Sequence, residues 1–421
     1  MLAHTAEIKS RKPFSRMFAL ATRAALLTAL ITTSFAFSWG SPLVVSNTGT
    51  PCLATRTVYT TIQAAVNAAS SGATIDVCPG TYPEQVLITI PLTLTGVRGP
   101  TADNALLTAP AGGVVANTTQ SRGSTAYPTA AQVLVQNATG VTIENLSVDG
   151  SNSGLTDCNT GIVGIYYQNA SGTVNNVQVQ NQVGFTNCYS GFGVYVETDG
   201  SASSTVTIAN STVQFTSGIN IGGTYPGTTV TIKSNSVVGS AVSMDNGIYV
   251  ARGATGTVTG NSIINFASAP DTLGDVADAT CGIAISVGTG NVTVSENSIG
   301  NAEVGICLYS TSDNNTVVNN RIFSSAINDG IYVCSSNNLV QNNVFASSSD
   351  AAIHIGTSGS NTCSAANNNT ITNNTINGAC VGIVEPSGTT GNVIAPNTFT
   401  NAGTVTSTGI CQAAPRAAGT R

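Results

Sequence analysis

The chain has 421 residues, 41% hydrophobic but only 8% charged and 5% aromatic, which is enough apolar material for a sizeable core with about a third of the usual charge complement. That balance excludes a disordered polyampholyte and a coiled coil. Net charge is −6, and residues 1–40 hold five basic side chains (Lys9, Arg11, Lys12, Arg16, Arg23) and one acid, Glu7, so the rest carries 8 basic against 18 acidic groups. A body so short of cations cannot neutralise many phosphates, and no nucleic-acid partner is expected.

In chain order, the basic stretch leads into the apolar run Ala24–Ile31 and small residues up to Ser41. This is the pattern of a secretory signal peptide over residues 1–40, its apolar run being shorter than the roughly 20 residues that span a bilayer. A secreted, periplasmic or cell-surface location follows, with no membrane span after signal removal. All ten cysteines (Cys52, Cys78, Cys158, Cys188, Cys281, Cys307, Cys334, Cys363, Cys380, Cys411) lie beyond that segment, an even number fitting five disulfides in an oxidising compartment. No C-x-x-C pair occurs to favour zinc or redox chemistry.

Ile62–Ala69 has apolar residues at helical spacing, Thr60 or Thr61 as N-cap and Gly72 as a stop. We expect a short helix capping the first rung of a solenoid, within an N-terminal segment 41–72, and then strands at Thr74–Val77, Val86–Ile90 and Leu92–Leu94. From there a Gly-apolar-x-apolar element recurs at Gly164, Gly193, Gly218, Gly247, Gly282, Gly305, Gly330, Ala352, Gly382 and Gly409, at intervals of 22 to 35 residues. A β-branched run leading into Asn alternates with it, at Asn145, Asn176, Asn210, Asn235, Asn261, Asn297, Asn320, Asn343, Asn374 and Asn397. No regular Asn-Gly or Asp-Gly hairpin links these strands. They fit a solenoid over residues 73–412 in which each strand pairs in parallel with its counterpart about 4.8 Å along the axis, leaving a disordered tail at 413–421. Stacked Asn side chains satisfy one another in such a coil, so sequon matches such as Asn145, Asn210 and Asn374 are structural rather than glycosylation sites.

Ile62-Gln63-Ala64-Ala65-Val66-Asn67-Ala68-Ala69, Gly72–Val77, Pro79-Gly80-Thr81-Tyr82 with Glu84, and Leu92-Thr93-Leu94-Thr95-Gly96 together resemble the opening of pectin-lyase-like proteins. The resemblance implies an all-β fold, a single-stranded right-handed parallel β-helix, and it implies no one activity, because that fold hosts lyases, hydrolases, esterases and non-catalytic proteins. It also implies a substrate lying along the outer face of the Gly-Ile strand. Two residues after each Gly, that face carries Tyr166, Tyr195, Asn220 and Tyr249, a stripe of substrate-binding candidates, with Ala284, Cys307, Tyr332, His354 and Val384 beyond; Gln168, Glu197, Ser286 and Tyr309 follow at the next outward position.

Lyases of this fold use carboxylates for Ca²⁺ and an Arg or Lys base. The candidates here are Glu197, Lys233 and Arg252 for catalysis and Glu197, Asp199 and Asp245 for Ca²⁺, with Ca²⁺ an optional cofactor. The paired Asp and Gly-His-Gly of polygalacturonase-type hydrolases are missing, His354 being the only histidine past the signal segment. Pro79–Glu84 resembles the first pectin methylesterase motif, whose carboxylate-bearing elements have no counterpart; Asp271-Thr272-Leu273 follows Pro270 rather than Gln. A related β-helix family takes part in copper-site maturation and has similar repeats, but Met244 and His354 beside oxidised cysteines are a poor copper set. Five disulfides are expected: Cys52–Cys78, Cys158–Cys188, Cys281–Cys307, Cys334–Cys363 and Cys380–Cys411. The functional expectation is a protein that binds, and in an enzymatic version cleaves as a lyase or hydrolase, an extracellular polysaccharide; the alternative is a non-catalytic structural or adhesive scaffold.

Overall fold

Alternation decides the architecture. In Ser204–Ala209, Val206 and Ile208 are fully buried while Thr205 and Thr207 point outward, and the same two-residue period recurs coil after coil. The computed structural model describes residues 43–54, 57–98, 104–122, 125–185, 188, 190–240, 246–266, 280–325, 328–348, 350–357, 363, 365–402 and 405–406. Three long sheets, of 13, 12 and 13 strands, run the length of this part. Each turn of the chain contributes one strand to each sheet, and successive turns pair in parallel, as the column Val174, Ile208, Ile232, Val258, Val294, Val317, Val340, Ile371 in the first sheet illustrates. Every member of that column is fully buried, contributing about 1.5–3 kcal/mol each.

The helix Ile62–Ala68 closes the first coil, with Ile62, Ala65 and Val66 buried against it and Thr61 accepting from the Ala64 N–H at 3.2 Å. Glu84 takes the Ile62 and Gln63 N–H groups at 2.7 and 2.9 Å, a carboxylate at a helix N-terminus. Tyr82 is buried and donates to the Cys78 carbonyl at 2.8 Å. The Pro79–Glu84 motif therefore builds the cap. The strands there are Ala73–Val77, Val86–Ile88 and Leu92–Gly96, joined by Leu43–Val45, Val58–Tyr59 and Gly80–Pro83.

Asn235, Asn261, Asn297, Asn320, Asn343, Asn374 and Asn397 form a continuous ladder, each Nδ2 donating to the next Oδ1 at 2.9–3.1 Å. Each Nδ2 also serves a carbonyl of the preceding coil, for example Asn297 to Val258 at 2.9 Å. Asn145, Asn176 and Asn210 do not belong to it. They sit one residue earlier, at φ of 59°, 52° and 52°, where Asn tolerates the left-handed region; Ser211 takes the ladder position before Asn235, donating its N–H to Asn235 Oδ1 at 3.0 Å while its hydroxyl oxygen accepts the Val177 N–H at 3.2 Å. A second ladder at another corner, Asn338 to Asn369 to Asn392 at 3.0 and 3.1 Å, accompanies the first.

Disulfides join Cys52–Cys78, Cys158–Cys188, Cys281–Cys307 and Cys334–Cys363. Cys380 is also disulfide-bonded, while Cys411, Asp245, Met244, the signal segment and residues 413–421 lie outside the described residues. One element departs from the coil: Thr118–Arg122 pairs antiparallel with the start of Thr125–Gln136, making a hairpin on the third sheet.

Candidate functional site

The third sheet holds Gly161–Gln168, Gly191–Glu197, Ile219–Thr224 and Asn246–Ala251 as neighbours. Its register places Tyr166 opposite Tyr195, Tyr195 opposite Gly222, and Gly222 opposite Tyr249. Asn220 is therefore not in the stripe. It falls opposite Gly193, two residues from the expected register, and is buried, accepting from the Thr216 hydroxyl at 2.7 Å and donating to the Val213 and Val238 carbonyls at 3.1 Å. Gly218-Ile219-Asn220-Ile221 offers two alignments that keep the same faces, because a slip of two preserves side-chain orientation; the amide partners select the second.

The stripe is not uniformly exposed. Tyr166 is 0% exposed and Tyr195 4%, whereas Tyr249 is half-buried. Rings of Tyr166 and Tyr195 lie 5.7 Å apart and those of Phe192 and Tyr195 5.0 Å. A Cβ at Gly222 would meet the Tyr195 ring at 2.8 Å, so that ring leans over the glycine. The hairpin covers the Tyr166 end. Gln168 donates to the Thr119 carbonyl at 2.7 Å, and the Ser121 N–H donates to Glu197 Oε1 at 2.9 Å. The Ser121 carbonyl accepts from Tyr225 Oη at 2.9 Å and Arg252 Nη1 at 3.2 Å, and Arg252 stacks 5.2 Å over the Tyr225 ring while bonding its hydroxyl. The backbone of one residue, Ser121, thus bonds an acid through its N–H and a base through its carbonyl, from different coils.

Between hairpin and sheet lies a cavity of about 270 Å³ lined by Gln120, Ser121, Phe192, Tyr195, Gly218, Ile219, Thr224, Asn246, Tyr249 and Arg252. Burial raises the Glu197 pKa above the ordinary carboxylate value, against the opposing pull of the Ser121 N–H, the Tyr166 hydroxyl and Arg252. Gln120 is 2% exposed, and neither of its side-chain polar atoms has a hydrogen-bond partner.

Of the candidate catalytic groups, Glu197 and Arg252 meet at Ser121; Lys233 does not join them, standing exposed at the end of Thr228–Lys233 in the first sheet. Asp199 is in an exposed turn, accepting from the Ser201 hydroxyl at 2.5 Å, the Ser201 N–H at 2.8 Å and Asn169 Nδ2 at 2.9 Å, which holds its carboxyl below the usual range. Among the described residues no group of three or more His, Cys, Asp or Glu could hold a metal ion. Gln120 and Ser121 were invisible to repeat counting because the hairpin interrupts the repeat, and Phe192 and Tyr225 because they lie off the positions the repeat singles out; the polar run Thr118-Thr119-Gln120-Ser121 before Arg122-Gly123 is the one signal that could have marked the hairpin.

Residues 271–411 match the family model described as periplasmic copper-binding protein (NosD). This stretch does not fit copper. It contains no Met and one His, and no cysteine of the described chain is free; His354 has its nitrogens 3.3 Å from Asp329 Oδ2 and 3.1 Å from the Thr357 carbonyl, leaving no soft donor set. No curated protein matches the sequence. Among solved structures, the chain is similar to the GH136 lacto-N-biosidase from Eubacterium ramulus (12% identity, TM-score 0.54, covering 86% of this chain and 67% of that one). It is similar also to the Dettilon tailspike protein (17% identity, TM-score 0.54, covering 82% and 64%). The chain spans about two thirds of the length of each. Three parallel sheets, one strand per sheet per turn and these likenesses together establish that the chain has the right-handed parallel β-helix fold of pectin-lyase-like proteins.

Proposed function

We propose that the protein binds a polysaccharide in an extracellular or periplasmic setting, in the cavity between Tyr195 and Tyr249 on the outer face of the third sheet. The observation that carries this reading is the make-up of its walls: Phe192, Tyr195 and Tyr249 beside the polar Gln120, Asn246 and Arg252. A sugar ring has an apolar C–H face and an edge of hydroxyls, and needs both kinds of surface at once. A lacto-N-biosidase among the proteins of the same fold is compatible with a saccharide ligand, and the disulfides fit an oxidising compartment.

The reading is binding rather than cleavage, because Glu197 stands behind Ser121 and Lys233 belongs to another sheet. The scaffold alternative has no need of an aromatic-floored cavity. The test is affinity electrophoresis through gels containing neutral or uronate polysaccharides. Wild type is retarded by at least one of them, and Tyr249→Ala weakens that retention about tenfold, the loss typical of an aromatic anchor. Equal migration of wild type in all gels, or of Tyr249→Ala and wild type in the retarding gel, contradicts the proposal. Unsaturated, ultraviolet-absorbing products on incubation with a uronate polymer would replace binding by lyase activity.

A further inference from the structure

The hairpin changes what the face can accept. An open stripe of tyrosines would let a polymer run along many coils, but here the Tyr166 end is sealed: Tyr166 is fully buried, Tyr195 nearly so, and Gln120 is folded down between hairpin and sheet. Of the aromatic rings in its lining Tyr249 is the least buried, and the cavity, at about 270 Å³, is smaller than the ~300 Å³ at which drug-sized sites begin. Its size suits a single sugar ring at the closed end.

Gln120 supplies the second, independent observation. A buried primary amide with neither Nε2 nor Oε1 bonded carries a desolvation cost that folding alone does not recover. Its chemistry is that of a paired donor and acceptor, which matches two adjacent hydroxyls, one accepting from Nε2 and one donating to Oε1. Arg252, the charged side chain of the lining, is already engaged, donating to the Ser121 carbonyl and bonding the Tyr225 hydroxyl. Arg252 and Glu197 both bind Ser121, and each lies close enough to influence the other. A carboxylate-bearing sugar would bring a second anion toward the buried Glu197, so the pair favours an uncharged ring.

Resting on the reading of this face as a glycan site, we propose that the cavity recognises the terminal ring of a neutral glycan chain and that Gln120 is its specificity-determining residue. The chain leaves past Tyr249, and only the end ring reaches the amide.

Calorimetric titration of the full protein tests this with linear α-gluco-, β-gluco-, manno- and galacto-oligosaccharides of two to eight rings, cyclic α- and β-glucans that have no ends, and oligogalacturonates. Linear neutral oligosaccharides of one series bind with an affinity that levels off after the first two or three rings, and cyclic glucans and oligogalacturonates do not bind. Gln120→Leu weakens binding on the order of tenfold or more while its melting temperature equals or exceeds that of wild type, since the substitution removes two unpaired buried polar atoms. A structural glutamine would give the opposite, a lowered melting temperature. Cyclic glucans binding as well as linear ones, affinity growing with every added ring, or wild-type affinity in Gln120→Leu overturns chain-end recognition; if Tyr249→Ala still loses affinity in that case, the glycan reading of the face stands. Failure of every oligosaccharide to bind overturns both.

Discussion

His354 is an imidazole set between two acceptors. Its Nδ1 lies 3.3 Å from Asp329 Oδ2, an ion-pair contact without hydrogen-bond alignment, and its Nε2 is 3.1 Å from the Thr357 carbonyl, surroundings that suit the protonated ring. Burial pushes its pKa down, but the nearby Asp329 carboxylate, the Thr357 carbonyl and the charge of Asp350 outweigh that, and the net shift is upward. The other group against it is the edge of the Tyr332 ring, 5.9 Å away between centroids. A raised histidine pKa stabilises the fold fully below the unfolded value near 6.5, and that contribution is lost as pH rises through the folded value, at about 1.4 kcal/mol per unit of difference. Urea unfolding measured from pH 6 upward is expected to show wild type losing stability with rising pH and His354→Gln staying flatter; parallel curves would remove His354 as the cause. The sequence shows a lone outward histidine with Asp350 four residues before it, just ahead of the same strand, but not Asp329, which becomes its neighbour only when the preceding coil stacks on it.

At the scale of the element, the third sheet is ruled by its glycine column. Gly164, Gly193, Gly247, Gly282, Gly305 and Gly330 turn toward the neighbouring sheet at a corner where the next coil's backbone closes in; a Cβ at Gly305 would stand 2.5 Å from the Gly330 carbonyl oxygen and 2.9 Å from Ile322 Cγ2. Gly305→Ala is therefore expected to destabilise by about 1–3 kcal/mol, the range of an overpacked core, read as a lower denaturant midpoint with unchanged slope. A midpoint within error of wild type would mean that the corner yields, as it has at Ala352 in the same column. This column and the Asn ladder from Asn235 onward were legible in the sequence because one residue type recurs at nearly every coil, and the capping helix because its apolar spacing and Thr61 cap are local signals. Asn220 was misplaced for the converse reason: it fills a glycine position with an amide that happens to find three partners. The hairpin at Thr118–Arg122 was missed by repeat counting, since an insertion that occurs once has no period and leaves only its polar composition as a sign.

Over the whole molecule, stacking converts distance along the chain into adjacency along the axis. Ser121 meets Glu197, Tyr225 and Arg252, which are 76, 104 and 131 residues away, only because like coils lie on like. A solenoid transmits little between distant coils, so occupancy of the cavity should be felt locally. Cys158–Cys188, in the loops that lead into the third sheet before the cavity, and Cys281–Cys307, on that sheet after it, fasten neighbouring coils on either side of the site. The decisive measurement is amide hydrogen exchange, read by mass spectrometry, with and without a saturating bound saccharide. Protection is predicted to rise in Thr118–Arg122, Gly191–Glu197, Ile219–Thr224 and Asn246–Arg252 and to stay unchanged on the second sheet; protection confined to the second sheet, or absent from Thr118–Arg122, would contradict a site closed by the hairpin.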